Sequence, residues 1–211
     1  MKQWIQVEKR KDYGGNMGQR SQIYVRYNKK LVITNYYQWN YGERMISRAR
    51  YGIEYIKENY LEYRTWIFNN ESDMEKLRRI FDVNFDMKDI VMSIDIIKEW
   101  KEQFSEDESF NNYVFKLQGN NDGKLFVDIS EDGIVKYAFL DCECNTEHIM
   151  SASQYMTWNH KDWRISKYIT DEQKSFCEDN LKKIEEMAAL MTKSELEDFI
   201  NYNYGMEELP F

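Results

Sequence analysis

Residues 17–60, MGQRSQIYVRYNKKLVITNYYQWNYGERMISRARYGIEYIKENY, hold the clearest strand pattern, turn and amphipathic helix of the chain. Ile23, Val25 and Tyr27 alternate with Gln22, Tyr24 and Arg26, the period of two that suits a half-buried strand. Asn28-Lys29-Lys30 is short and polar enough to turn the chain, and Leu31 to Tyr37 is β-branched and aromatic, so it returns as the partner strand. Asn40-Tyr41-Gly42 breaks the pattern. From Glu43 the period becomes helical: Met45, Ile46, Ala49, Ile53, Ile56 and Tyr60 form one apolar stripe able to cover a face of the hairpin. Arg44, Arg48 and Tyr55 follow on a neighbouring stripe, which predicts a basic, aromatic side turned to solvent.

Outward from this unit, Trp4, Ile5 and Val7 suit an edge strand, Gly14-Gly15-Asn16 a loop, and Met17 a second possible start that makes residues 1–16 an extension. Downstream, Glu62 to Phe68 is β-prone, and Ser72 or Asp73 can cap a helix carrying Met74, Leu77, Ile80 and Phe81. Asp86 to Trp100 has helical spacing, although its β-branched content leaves a strand open for part of it. Ser105 to Ser109 reads as an acidic loop. Tyr113–Leu117, Leu125–Ile129 and Ile134–Leu140, joined by two connections containing Asp-Gly, predict a three-stranded antiparallel meander. Thr170 or Asp171 and then Thr192 or Ser194 start two helices whose short connection predicts an antiparallel pair.

The expected fold class is therefore α+β: an N-terminal β-hairpin with a packed amphipathic helix, a central meander and a C-terminal helical pair. Residues 1–70 form a basic hairpin-helix unit, 71–170 a mixed acidic region and 171–211 the terminal helices, as one compact domain or two closely packed ones.

No apolar run approaches the roughly 20 residues of a bilayer span, and MKQWIQVEKRK lacks the apolar core of a secretory signal, so a cytoplasmic protein without a membrane partner is expected. Cys142, Cys144 and Cys177 have no disulfide-framework spacing. Cys142 and Cys144 would share a face if they ended a strand. Without a second soft pair nearby, ordinary thiols are expected and no metal.

The net charge of −8 hides an asymmetry: residues 1–70 carry +7, residues 71–170 carry −8 and residues 171–211 carry −7. A basic third on an acidic remainder is compatible with a phosphate-bearing partner, or with the two parts simply attracting each other.

Glycine-rich phosphate loops, Gly-x-Ser-x-Gly elbows, His-Glu-x-x-His and Cys-x-x-Cys motifs are all missing, which argues against the common nucleotide-dependent and hydrolase families and implies no cofactor. Two mixed clusters remain. Arg20, Arg26, Gln38, Trp39, Asn40, Tyr41, Glu43, Arg44 and Arg48 combine phosphate-binding, base-stacking and edge-reading side chains, so a surface built from them could hold RNA. Alternatively, Trp39 and Tyr41 plug the hairpin-helix corner and Arg44 pairs with an acidic neighbour. Second, His148 and His160 with Glu147 could support general acid-base cleavage of a phosphodiester, with Glu43 a further candidate.

The pattern Met17-Gly18-Gln19-Arg20-Ser21-Gln22-Ile23-Tyr24-Val25-Arg26, followed by Asn35-Tyr36-Tyr37-Gln38-Trp39-Asn40-Tyr41-Gly42, resembles the opening of small uncharacterised proteins of phages and conjugative elements of Gram-positive bacteria. Those often read Met-Gly-Thr-Arg, a short hairpin, then Tyr-x-Gln-Trp/Phe-Asp. This chain departs at Asn40, where aspartate is commoner, and the likeness covers about a quarter of its length. Accessory proteins of that kind include anti-CRISPR inhibitors of Cas9 or its guide RNA. The resemblance thus implies an inhibitor of a bacterial defence protein or its guide RNA. The alternatives are a small metal-independent ribonuclease and a non-enzymatic protein-binding module.

Overall fold

The structure, a computed structural model, describes residues 19–38, 40–63, 71–84, 89–90, 93–103, 110–117 and 122–204. Strand β1 (Arg20–Tyr27) and β2 (Lys30–Gln38) pair antiparallel across Asn28 and Lys29, both at positive φ as a primed two-residue turn requires. A register shift at Val25/Arg26 marks a bulge. Helix α1 (Gly42–Tyr63) follows, then α2 (Glu71–Asp82), the short strands β3 (Val83–Asn84), β4 (Asp89–Ile90) and β5 (Ser93–Asp95), and α3 (Ile96–Gln103). One helical turn, α4 (Phe110–Asn112), runs into a π-helical turn over Tyr113–Leu117. Next come β6 (Lys124–Ile129), β7 (Val135–Leu140), α5 (Ala152–Asn159), α6 (Asp171–Met187), β8 (Ala189–Leu190) and α7 (Lys193–Asn201).

Six strands form one mixed sheet in the order β5-β2-β1-β6-β7-β8, with β1 and β6 parallel at its centre. The sheet takes strands from all three charge segments, and helices cover both its faces. Ile23, Val25, Leu125, Val127 and Phe139 pack on one face against Met45, Ile46, Ala49, Ile53 and Ile56 of α1, together with Leu77 and Phe81 of α2, Tyr155 of α5 and Leu181 and Ile184 of α6. Tyr24, Phe126, Ala138 and Leu140 pack on the other against Ile96, Ile97 and Trp100 of α3, Val114 and Phe115 of the π turn, and Leu196, Phe199 and Ile200 of α7.

Several expectations are corrected. Strand β1 is buried along both faces from Ser21 to Tyr27, because β6 flanks it and a second helical layer lies behind it. The meander has two strands: Tyr113–Leu117 is helical, and the third place beside β6 goes to β1. Tyr24 Oη donates to the Val114 carbonyl at 2.6 Å and Lys124 Nζ to the Phe115 carbonyl at 2.6 Å, so the irregular turn is held by acceptors that a strand would have spent on a neighbour. Of the stretch Asp86 to Trp100, Asp89–Ile90 and Ser93–Asp95 are strand, the alternative left open for part of it, and the helix runs from Ile96, where Asp95 Oδ1 accepts from the Ile97 and Lys98 amides. Helix α2 begins at Glu71, ahead of the caps proposed for it. The C-terminal helices do not pair; β8 separates them and they cover opposite sheet faces. Both start with capping boxes, Thr170 with Gln173 and Thr192 with Glu195. The strand around Trp4 and the acidic loop 105–109 lie outside the described residues, as does residue 39.

Candidate functional site

The arginine-rich cluster of the first hairpin and helix does not form one open face. Arg48 is fully buried: its Nε donates to Asn40 Oδ1 at 3.0 Å, its Nη1 to the Phe81 carbonyl, and its guanidinium lies 4.9 Å from the Tyr37 ring centroid. Asn40, buried too, reaches Met45 Sδ at 3.4 Å. These contacts clamp the β2–α1 corner onto α2, which is why a position four residues beyond Arg44 lies inside.

Arg26 is 1% exposed. Its Nε and Nη2 grip Asp128 of β6 at 2.9 and 2.7 Å, its Nη2 also reaches Asp198 of α7 at 3.1 Å, and its guanidinium lies 4.5 Å over Phe199. Lys29 pairs with Asp198 as well. Burial opposes ionisation of Asp198, yet Lys29 and Arg26 hold its carboxyl below the usual range. Here the basic first third is neutralised by acids of the later segments. A cleft of about 480 Å³ opens beside this network, with Lys136 paired to Glu195 on its wall.

Arg20 and Gln38 are exposed partners at the open end of the β1–β2 ladder. The Arg20 amide donates to Asp122 Oδ2 at 2.8 Å. Arg44 lies 5.1 Å over the Tyr41 ring, and these two residues and Glu43 are half-buried at the start of α1. Trp39 lies outside the described residues.

The acid-base candidates are dispersed. His148 ends a 3₁₀ turn, Thr146–His148, with Nδ1 3.1 Å from Asp141 Oδ2, and Glu147 beside it pairs with Lys193. His160 caps the far end of α5, exposed. Among the described residues no hydrogen bond or ion pair joins His148, His160 and Glu43. Cys142 and Cys144 sit in the turn after β7, and burial pushes both thiols up, away from the thiolate a metal would ligate. No group of three His, Cys, Asp or Glu side chains among the described residues could hold a metal ion.

The exposed ring-and-cation surface lies instead from the last turn of α5 to just before α6, over Trp158–Tyr168, WNHKDWRISKY. Trp163 is its buried peg, 1% exposed. Around it the chain makes successive turns: the Trp163 amide donates to the His160 carbonyl at 3.1 Å, Ile165 to Asp162 at 3.0 Å, and Ser166 to Trp163 at 3.3 Å. The Tyr168 amide then donates to Ser166 Oγ at 3.2 Å. With the peg inside, Ile165 is left 81% exposed, Tyr168 83% and Trp158 41%, and Lys161, Arg164 and Lys167 are exposed among them. The sequence patterns that found the other elements pass over this surface, because it obeys neither strand nor helix periodicity. Its signal is the interleaving of cations with large side chains.

Immediately downstream, the first half of α6 turns Asp171, Glu172 and Asp179 around Phe176 in a shallow depression. The strip and the acidic helix head thus adjoin in the chain. No helix among the described residues is long and apolar enough to cross a membrane. No protein-family model, curated protein or solved structure matches the chain.

Proposed function

We propose that the protein is a non-enzymatic, mobile-element inhibitor of a bacterial RNA-guided defence complex, working in the host cytoplasm by docking on an RNA–protein surface through Trp158–Tyr168 and the head of α6. The observation that carries this reading is the exposure of Ile165 and Tyr168, 81% and 83%, on a segment pinned by its own turns. Large side chains held out in water by an ordered backbone mark interaction surfaces. The acidic face of α6 complements a basic protein groove built for nucleic acid, while the adjoining cations complement phosphate. The defence-complex class is supported by the likeness of residues 17–42 to mobile-element proteins. Arg26 and Arg48 have no direct part in the docking, being spent on the fold.

The test is DNA cleavage by a guide-loaded CRISPR nuclease, with the guide RNA run afterwards on a denaturing gel. Expected are blocked cleavage, intact guide, and at least a tenfold weaker block by an Ile165→Ala/Tyr168→Ala variant of unchanged melting temperature. Inhibition undiminished in that variant removes the docking surface from the account. The His148–Asp141 contact favours one second reading, a ribonuclease with imidazole as base. A shortened guide, restored to full length by His148→Ala, would establish it.

A further inference from the structure

We infer that the strip Trp158–Tyr168 is a subsite for single-stranded RNA, in which the Trp158 and Tyr168 rings stack on bases and Lys161, Arg164 and Lys167 meet the phosphates. The inference rests on the docking reading above and names the component of the complex that the strip takes.

The Trp158 ring is anchored on one side, and the Tyr168 ring stands out from an ordered turn. Trp158 leans on Tyr155, with centroids 5.8 Å apart at 36°, and lies so close to Gly123 that a Cβ added there would come within 3.2 Å of the indole. Its remaining surface faces water. Tyr168 is held through its amide by Ser166, and Lys167 Nζ lies 5.3 Å from its ring centroid. A base arriving on Trp158 finds a ring already ordered, and one arriving on Tyr168 finds the backbone that carries the ring already fixed, so less conformational freedom is lost on binding.

The cations are similarly placed. Arg164 lies 4.4 Å over the face of buried Trp163, and its Nε sits 3.1 Å from Glu178 Oε1. Both partners of that pair are more than half exposed, which leaves it weak and screened, so a phosphate can take the carboxylate's place. Lys161 and Lys167 form no ion pair among the described residues. Within the strip three cations face Asp162, with Glu178 of α6 against Arg164, which leaves a local positive excess on a chain of net charge −8. At physiological salt, charges beyond about 8 Å are largely screened, so a strand feels the strip and its immediate neighbours rather than the net charge of the whole chain.

Duplex RNA hides its base faces and offers nothing for the rings to stack on. A basic peptide would be repelled by the three cations. A single strand satisfies both halves of the strip.

Fluorescence anisotropy of a labelled 12-nucleotide single-stranded RNA, with the full chain, tests this. Expected is saturable binding that weakens about five- to a hundredfold in Tyr168→Ala and in Trp158→Ala. Tyr168→Leu, which keeps apolar bulk without the ring, should weaken it too. For three phosphate contacts the plot of log K against log salt should slope about −2, flattening in Lys161→Glu/Lys167→Glu. Equal retention of single-stranded DNA also supports the stacking subsite, since every base has a π-face. Equal retention of hairpin RNA or of inorganic polyphosphate, or ring variants that bind unchanged, overturns it. If the single strand fails to bind while nuclease inhibition still depends on Tyr168, the RNA subsite falls alone. If it binds and the nuclease is untouched, the docking reading falls and the subsite stands.

Discussion

Lys124 shows how one side chain ties a strand to an irregular turn. Its ammonium is fully buried on β6, donating to the carbonyls of Phe115 at 2.6 Å and Cys142 at 3.4 Å, and among the described residues no carboxylate forms an ion pair with it. Burial lowers its pKa, a shift that the neighbouring Cys144 and Cys142 partly oppose. The folded chain therefore gives up this proton below the ordinary lysine range near 10.4, while the unfolded chain still holds it. In that window Lys124 makes stability rise with pH; at lower pH both states are charged and the whole desolvation cost stands. Urea midpoints of wild type and Lys124→Met between pH 7 and 9.5 should converge or cross in favour of wild type as pH rises. A gap constant across the range would show that folded Lys124 keeps its proton up to pH 9.5.

At the scale of elements, α1 and α2 meet at Gly52. A Cβ built there would fall inside van der Waals contact with Phe81 Cζ and Cε1, and Phe81 is fully buried with its carbonyl held by Arg48. Alanine normally gains about 1 kcal/mol over glycine inside a helix. Here the clash should outweigh that gain, so Gly52→Ala is expected to lose about 1–3 kcal/mol by chemical denaturation. Adding Phe81→Leu, which vacates the ring tip, should recover part of the loss; no recovery would place the fault elsewhere.

The same scale separates what the sequence could convey from what it could not. The turn at Asn28-Lys29, the stripe Met45–Ile56 of α1 and the caps at Thr170 and Thr192 are local signals, and each appears where periodicity or capping chemistry put it. The pairing of Gln22 with Lys124 joins positions about a hundred residues apart, and no local pattern encodes such a partner. Tyr113–Leu117 alternates like a strand, but the acceptors it offers were taken by Tyr24 and Lys124, which only the assembled sheet brings near. The arginines were misplaced for a related reason: Arg26 looks solvent-facing until α7 covers it, and Arg48 until α2 closes over the β2–α1 corner.

Over the whole molecule, Arg26, Asp128 and Asp198 join the three segments whose net charges are +7, −8 and −7. A buried charge left without a partner costs more than partly exposed charges whose partner has gone, because water still reaches the latter. Asp128→Asn is accordingly expected to lose about 3 kcal/mol, whereas Arg26→Met, whose thioether can rest on Phe199 and whose former partners reach water, should lose less than half of that. Urea unfolding of the two variants decides the order; the reverse ranking would mean that the pair serves mainly through its attraction.

The central place of β1 beside β6 bears also on how the chain is made. During synthesis the first hairpin leaves the ribosome about a hundred residues ahead of the strand that will flank it. At 5–20 residues per second that interval is about 5–20 s. Throughout it, Tyr24 and an unpaired backbone edge stay open to other nascent chains, so a chaperone that shields extended apolar segments would raise the yield of native protein most if it acted before residue 129 emerged.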